Sequence, residues 1–349
     1  MYNIAQKTMM AFTLVYGLCF VGYLLAYNLI GDRFWPLGLV NTFAYLIFAP
    51  LVILLPLTLL FRSHIGFLRL LLILAIFIVW LAPHIKPRVS AASPSSNSIG
   101  VVTFNTLWDN RNRNDLLQWF RDTNADIIFL QEITVDAAKQ MRTGLADSYP
   151  YQPVSTDSDA WGGNYILSRL PVSTFEYIDL GVPNSMQPQR ITASINGISF
   201  AAYNIHLEWP MSSERPLKAQ ISRLSPTFGF AAGYDNSIRN LQIERLKTHL
   251  QNEALPFFLA GDFNTSDQSP SYQLLSASLT DSFREAGNGF GMTWPVASVQ
   301  KLPSFVPPLI RIDYVFHNSA FRALNAQPGL PMGSDHLPLF VTLEQVNER

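Results

Sequence analysis

The chain has 349 residues, enough for one large domain and an accessory region, and a domain of about 250 residues buries roughly three quarters of its unfolded surface. Basic and acidic side chains balance at 24 against 25, a net charge of -1, which does not supply the strongly basic face expected of a general nucleic-acid binder, though it leaves room for a local basic patch. Cys19 is the single cysteine, so an intramolecular disulfide and a cysteine-based zinc cluster are both excluded.

Charged residues make up 14% of the chain and are scarcest at its front. Met9 to Ile30 is an uncharged apolar run, long enough to cross a hydrocarbon core of about 30 Å at about 1.5 Å per residue. A second run, Leu37 to Phe61, is equally apolar and contains Pro50 and Pro56, where a kink is expected. The third, Ile65 to Ala82, is shorter and holds Arg69 near its start, from which a long side chain can snorkel to the interface. Three such runs in succession are too long and too many for a cleaved signal peptide or a pair of hydrophobic core helices. Residues 1–85 are therefore expected to form a membrane anchor of about three transmembrane helices, with the lipid bilayer as their partner. Lys7, Arg62 and Arg69 fall on one side of three crossings and Arg33, Lys86 and Arg88 on the other. With Lys7 inside, the rest of the chain lies outside the cytoplasm.

Lys86 to Ser98, rich in Ser, Ala and Pro, reads as a linker over 86–98, and residues 99–349 as a second domain. Strands are expected at Ile99 to Asn105, Asp126 to Gln131, Tyr165 to Ser168, Ile191 to Ile195, Ile198 to His206, Phe257 to Ala260, Ile312 to Phe316 and Leu339 to Leu343. Helices fit Asp115 to Thr123, Val135 to Leu145, Ser237 to Asn252 and Ser271 to Leu275. The segment 207–234, with Pro210, Pro216 and Pro226, reads as an irregular insertion, either a lid over a site or a surface excursion. This mixture of alternating elements predicts an α/β-type domain with buried sheets.

Short motifs close the predicted strands: Thr103-Phe104-Asn105, Leu130-Gln131-Glu132, Asn204-Ile205-His206, Gly261-Asp262-Phe263-Asn264, Arg311-Ile312-Asp313 and Ser334-Asp335-His336. In each an apolar run ends on a carboxylate, carboxamide or imidazole, as when one rim of a sheet gathers polar groups around a pocket. Singly, each is an ordinary turn former, strand end or structural histidine. Together and in this order they resemble the endonuclease/exonuclease/phosphatase (deoxyribonuclease I-like) superfamily, over residues 99 to 345. The resemblance implies an α+β fold, a four-layer α/β/β/α sandwich preceded here by transmembrane helices.

It also implies a divalent-metal-dependent phosphoesterase, a phosphodiesterase that hydrolyses a P–O bond with an activated water. Carboxylate and carboxamide oxygens suit Mg²⁺ or Mn²⁺. By the resemblance Glu132 is the principal metal ligand, with Asn105 and Asp335 beside it. His336 is the expected general base, its other nitrogen held by Asp313. Asp262 and Asn264 match the family's aspartate and asparagine that orient the nucleophile or grip the phosphate, and in some family mechanisms the aspartate is the base instead. His206 matches a histidine that donates to a phosphate oxygen or assists the leaving group. Arg169 and Arg190 read as salt-bridge residues that could also touch an anion, Trp294 as a packing residue that could wall the pocket, and Tyr314 as strand core.

Thr265-Ser266 after Asn264 replaces the Tyr-Arg of inositol polyphosphate 5-phosphatases and disfavours that substrate class. A lipid head group or a nucleic acid remains as the phosphoester substrate, and no obligate protein partner is evident. The layout resembles bacterial membrane-anchored members of the superfamily, which implies the inner (cell) membrane with the second domain on the extracytoplasmic side. The reading from another class is a membrane-tethered, non-catalytic binding module, which loss of a metal ligand or of the Asp313/His336 pair would mark. The sequence retains them all.

Overall fold

The computed structural model of the protein describes residues 3–85, 94–110, 112–153, 163–183, 185–211 and 231–346. The first part of the expected linker, 86–93, and positions 212–230 of the expected insertion lie outside the described residues. The chain divides into two compact units, one formed by Met1–Lys86, Met211–Asp235 and Gln268–Pro270 and the other by the remainder.

In the first unit, helix α1 (Ile4–Ile30) opens on a capping box between Asn3 and Gln6 and ends at Gly31, whose φ of 61° is open to glycine without a steric cost. Helix α2 (Trp35–Thr42) and a short 3-10 turn (Ala44–Phe48) lead into α3 (Pro50–Leu60), and α4 (His64–Ile85) follows. Helices α1 and α4 are each long and apolar enough to span a membrane. The second apolar run is the broken one, bent by 81°. The bend lies at Phe43, ahead of both prolines, because Pro50 takes the first turn of α3, where its missing N–H costs nothing. Helices α1 and α4 run in the same direction. Arg69 Nη1, near the start of α4, donates to the Met10 carbonyl at 2.9 Å, and at the far end Tyr27 and Trp80 both bond to Gln268. The intervening segment returns between them, starting where Tyr45 OH meets His84 Nε2 at 2.8 Å and ending where Gln6 Nε2 donates to the Arg62 carbonyl at 3.2 Å. Phe20, Phe48, Leu51, Leu70 and Ile73 form the interior, whereas Phe12, Leu18, Leu25, Val52, Leu60, Leu72 and Val79 face outward. An apolar exterior of this kind fits hydrocarbon surroundings.

The second unit carries two sheets. The first contains β1 (Ser98–Asn105), β2 (Ile127–Ile133), β3 (Gly163–Ser168), β10 (Phe321–Pro328) and β11 (Leu339–Gln345), in the order β10-β11-β1-β2-β3. The second contains β4 (Val172–Tyr177), β5 (Gln189–Ile195), β6 (Ile198–His206), β7 (Phe257–Asp262), β8 (Thr280–Asp281) and β9 (Asp313–His317), in the order β4-β5-β6-β7-β9-β8. Successive side chains of a strand face opposite sides, so each central strand feeds two cores. Ile99, Val101, Ile127 and Phe129 of one sheet meet Ile191, Phe200, Ala202, Phe258 and Val315 of the other between the sheets. Their alternates Val102, Phe104, Ile128 and Leu130 turn outward under α5 (Arg113–Asp122) and α6 (Val135–Gly144), against Leu116, Phe120 and Met141. Ala201, Tyr203, Ile205, Leu259 and Tyr314 likewise pack under α7 (Ser237–Leu250) and α8 (Pro270–Ser276), against Ile243, Leu246 and Leu275. Helix α9 (Ser282–Ala286) follows β8. The result is the expected four-layer α/β/β/α sandwich.

Strands β4, β8 and β10 had no counterpart among the expected strands. All three are edge strands; β4 is largely exposed, β8 is two residues long and β10 carries a register shift between Ala323 and Asn325, so none shows a clean alternation.

Candidate active site

Each sheet contains one central parallel pair, β1 with β2 and β6 with β7. Parallel neighbours end on the same side, so Asn105 (opposite Gln131), Glu132, His206 and Asp262 emerge at one rim. His206 lies opposite Asp262, and Asp262 opposite Asp313 at the start of antiparallel β9. Strand β11 runs antiparallel to β1 and pairs Leu339 with Thr103, which places the preceding Ser334-Asp335-His336 at that rim as well. Gly261 permits the close approach of β6 and β7: a Cβ there would lie 1.9 Å from the Ile205 carbonyl oxygen.

The polar side chains form a connected set. Asn105 Nδ2 donates to Glu132 Oε1 at 2.9 Å and to Asp262 Oδ2 at 3.0 Å, while its Oδ1 accepts from the Leu107 amide at 3.1 Å. Asp262 Oδ1 accepts from the Asn264 amide at 2.8 Å, and Asn264 Nδ2 donates to the Leu207 carbonyl at 2.8 Å. His336 Nδ1 lies 3.0 Å from Asp313 Oδ2, and its Nε2 lies 3.8 Å from Asp262 Oδ2. His206 Nε2 stands 3.9 Å from Asp262 Oδ2 and 4.0 Å from Glu132 Oε1. Asp335 sits next to His336 in sequence, where its Oδ2 accepts from Trp294 Nε1 at 3.1 Å and Gln300 Nε2 at 2.7 Å. Glu132 and Asn264 hold φ of 57° and 49°, a region non-glycine residues rarely adopt and one that recurs at functional sites.

Burial sets the electrostatics. The Asp262 carboxyl is pushed above the usual carboxylate range by burial and by Asp313, against the opposing pull of His336. His206 is lowered by burial, which outweighs the attraction of Glu132 and keeps the imidazole neutral. Burial also disfavours charge on His336, but Asp313 and Asp262 together overcome it and raise its pKa to about 10. Donor atoms of Asp262, Asp313 and His336 lie within 4.8 Å of one another. With Glu132 and Asp335 added, carboxylates outnumber the imidazoles at the rim. This oxygen-rich, negatively charged donor set is the chemistry a hard divalent cation requires, so the residues fit such an ion.

Several supporting residues carried no role in the sequence reading. Gln131 Nε2 donates to Asn204 Oδ1 at 2.7 Å, and Asn204 Nδ2 reaches the Leu130 and Tyr165 carbonyls and Gln189, tying the two sheets beneath the site. Ser334 Oγ donates to the Asn105 carbonyl at 2.7 Å and accepts from the His336 amide at 3.0 Å. Arg311, fully buried, forms a two-pronged pair with Asp281 and lies 4.6 Å from the centre of the Tyr314 ring. All stand in or beside the strand-end motifs, and that adjacency was their one signal. Arg190 pairs with Glu176 and Glu253, and Arg169 lies over Tyr149, so both are engaged within the fold. Tyr314 is buried core, and Trp294 holds Asp335 while meeting Trp209 edge to face at 6.0 Å between ring centres.

A family model for the endonuclease/exonuclease/phosphatase family matches residues 102–336. No curated protein matches the chain in sequence. An endonuclease/exonuclease/phosphatase from Bacteroides vulgatus is similar in structure, with a TM-score of 0.54 at 18% identity over 71% of this chain and 99% of that one. A family protein from Bacteroides thetaiotaomicron gives 0.51 at 18% identity over 73% and 100%. TDP2 of D. rerio, solved with a single-strand DNA product, gives 0.54 at 16% identity over 71% and 99%. At these identities the likeness carries the fold alone. With the family model spanning most of the sandwich and the motif residues meeting at its rim, the chain belongs to the endonuclease/exonuclease/phosphatase family.

Proposed function

We propose that this protein is a membrane-anchored phosphodiesterase that hydrolyses a P–O bond by attack of water. The observation that carries the reading is the unbroken contact chain Glu132–Asn105–Asp262–His336–Asp313, which joins anion-binding and proton-transfer groups in one buried rim. A divalent cation held by Glu132, Asn105 and Asp335 would neutralise the phosphate oxygens and the departing alkoxide when bound. Of the two candidate bases, Asp262 is the better placed. Its carboxyl, raised toward neutrality, is the group on which Asn105, Asn264, His206 and His336 converge, so it takes the proton of the attacking water. His336, kept protonated by Asp313, presents a fixed positive charge to the phosphate. Asn264 keeps one amide hydrogen beyond its bond to Leu207 for a phosphate oxygen, and neutral His206 lies where it can donate to the leaving side.

A lipid phosphodiester is the favoured substrate. Trp108, Trp209, Phe305 and Leu330, on loops that carry or flank site residues, are 65%, 42%, 83% and 79% exposed, and the tether of apolar helices raises the local concentration of bilayer head groups. The D. rerio relative binds DNA, so nucleic acid is the competing arm of the test. The full chain in detergent should hydrolyse bis-p-nitrophenyl phosphate with Mg²⁺ or Mn²⁺, and Glu132→Ala or His336→Ala should abolish turnover. Metal-independent turnover or full activity in either variant contradicts the mechanism, and faster cleavage of single-stranded DNA than of phospholipid vesicles contradicts the substrate class.

The anchor supports a three-crossing arrangement in the inner membrane of a bacterium. Gln6, Arg62 and Arg69 share one end of the helix unit and His84 lies at the other, so the chain leaves α4 on the side opposite Lys7. With the Lys7 end cytoplasmic, three crossings put everything after α4 outside the cytoplasm; basic residues stand three against three at the two ends, so a reporter fusion decides between the two orientations. A reporter fused after Arg349 should work only outside the cytoplasm; a signal from a cytoplasm-only reporter refutes this orientation.

A further inference from the structure

Helix α7 turns two polar side chains into its packed face. Arg239 and Gln242 are three residues apart and so share the side that also buries Ile243, Leu246 and Leu250. Gln242 accepts the Glu208 amide at 2.8 Å, just beyond the strand end that carries His206. Arg239, 1% exposed, donates from Nη1 to the backbone carbonyl of Asn264. Among the described residues its Nε and Nη2 are buried without a hydrogen-bond partner, and no carboxylate pairs with it. The other deeply placed arginines behave differently: Arg311 meets Asp281, and Arg190 meets Glu253. A guanidinium stays charged at every pH the protein meets, and burying it without a counter-charge is costly. Such a cost, left standing beside a residue held at φ 49°, marks a functional constraint better than a packing preference.

We propose that Arg239 is the positioning residue of the phosphate-gripping loop: it fixes the Asn264 carbonyl, and through it the direction of the Asn264 side-chain amide. This rests on the phosphodiesterase reading. The backbone amide of Asn264 is already bound to Asp262 and its side chain to Leu207, so the Arg239 bond completes a three-point hold on one residue.

The test is a double-mutant cycle in the full chain with Arg239→Met, Asn264→Ala and both, read as kcat on bis-p-nitrophenyl phosphate, alongside hydrogen exchange of the peptide spanning 262–266. Arg239→Met alone should lower kcat about 100-fold, the loss expected when a catalytic group is misplaced by an ångström. Added to Asn264→Ala it should cost little more, because Arg239 acts through that residue. Exchange across 262–266 should speed up in Arg239→Met, with Arg239→Lys intermediate in both readouts. Multiplicative losses, an unchanged kcat or unchanged exchange overturns the assignment. Should Arg239→Met fail to fold, Arg239→Lys carries both readouts. Should the unaltered chain show no turnover, the phosphodiesterase reading falls and the exchange measurement alone decides whether Arg239 holds the loop.

Discussion

Asp262 and His336 sit 3.8 Å apart in a buried rim, and burial opposes charge on each. The difference between them is Asp313, whose carboxylate holds the imidazole in its charged form and so leaves the aspartate as the group able to accept a proton. The sign of the pH dependence follows. On the proposed mechanism turnover requires protonated His336, and its loss at high pH is governed by a pKa raised to about 10 by Asp313 first and Asp262 second. Asp313→Asn removes the raising charge, so the alkaline limb of the pH–rate profile should move to lower pH, with kcat reduced by about 10²–10⁴-fold. A limb that stays in place shows that His336 does not act as the cation. At this scale the sequence was informative wherever an apolar run ended on a polar group, as at Asn105, Glu132 and His206. It was silent at Arg239, because an arginine in a helix with Glu244, Arg245 and Lys247 reads as part of a solvated face, and only the packed orientation of α7 turns it inward.

Among the elements, the two parallel pairs determine where the site forms, and the helices determine how firmly the loops beyond them are held. Strand β5 is joined to α7 and its following turn through Arg190, whose Nε donates to Glu253 Oε2 at 2.8 Å, while Tyr203 OH of β6 donates to the same oxygen at 2.6 Å. Burial alone would raise the Glu253 carboxyl, but the Arg190 and Tyr203 hydrogen bonds outweigh it and bring it to about 2, below the ordinary 4.5. A carboxyl whose pKa is depressed on folding contributes stability that is complete above its unfolded value and lost as pH falls through its folded one. Glu253→Gln should therefore destabilise the second unit by about 1–3 kcal/mol near neutral pH. Its deficit in thermal midpoint against the unaltered chain should shrink between pH 4.5 and 2. A deficit constant across that window contradicts the assignment. The central strands were legible because they are buried on both faces and read as apolar runs. The edges β4 and β10 were not, since partial exposure and a bulge break the period on which strand recognition depends.

The whole chain combines a polar rim of the endonuclease/exonuclease/phosphatase sandwich with a unit of helices long and apolar enough to cross a membrane, and the proposed function rests on both. The apolar runs were legible as spans from length and composition, whereas the 81° break in the second was not, because it falls at Phe43 with neither glycine nor proline at the bend. The same limit applies to the site: the motifs announce which side chains matter, and the register of β6, β7 and β9 shows that they meet. The central claim is that water, activated at Asp262, attacks phosphorus. The most direct measurement is hydrolysis of a phosphodiester by the full chain, with Mg²⁺, in heavy-oxygen water, followed by mass spectrometry of both products. The account predicts one heavy oxygen in the phosphate-bearing product and none in the released alcohol; label in the alcohol contradicts it.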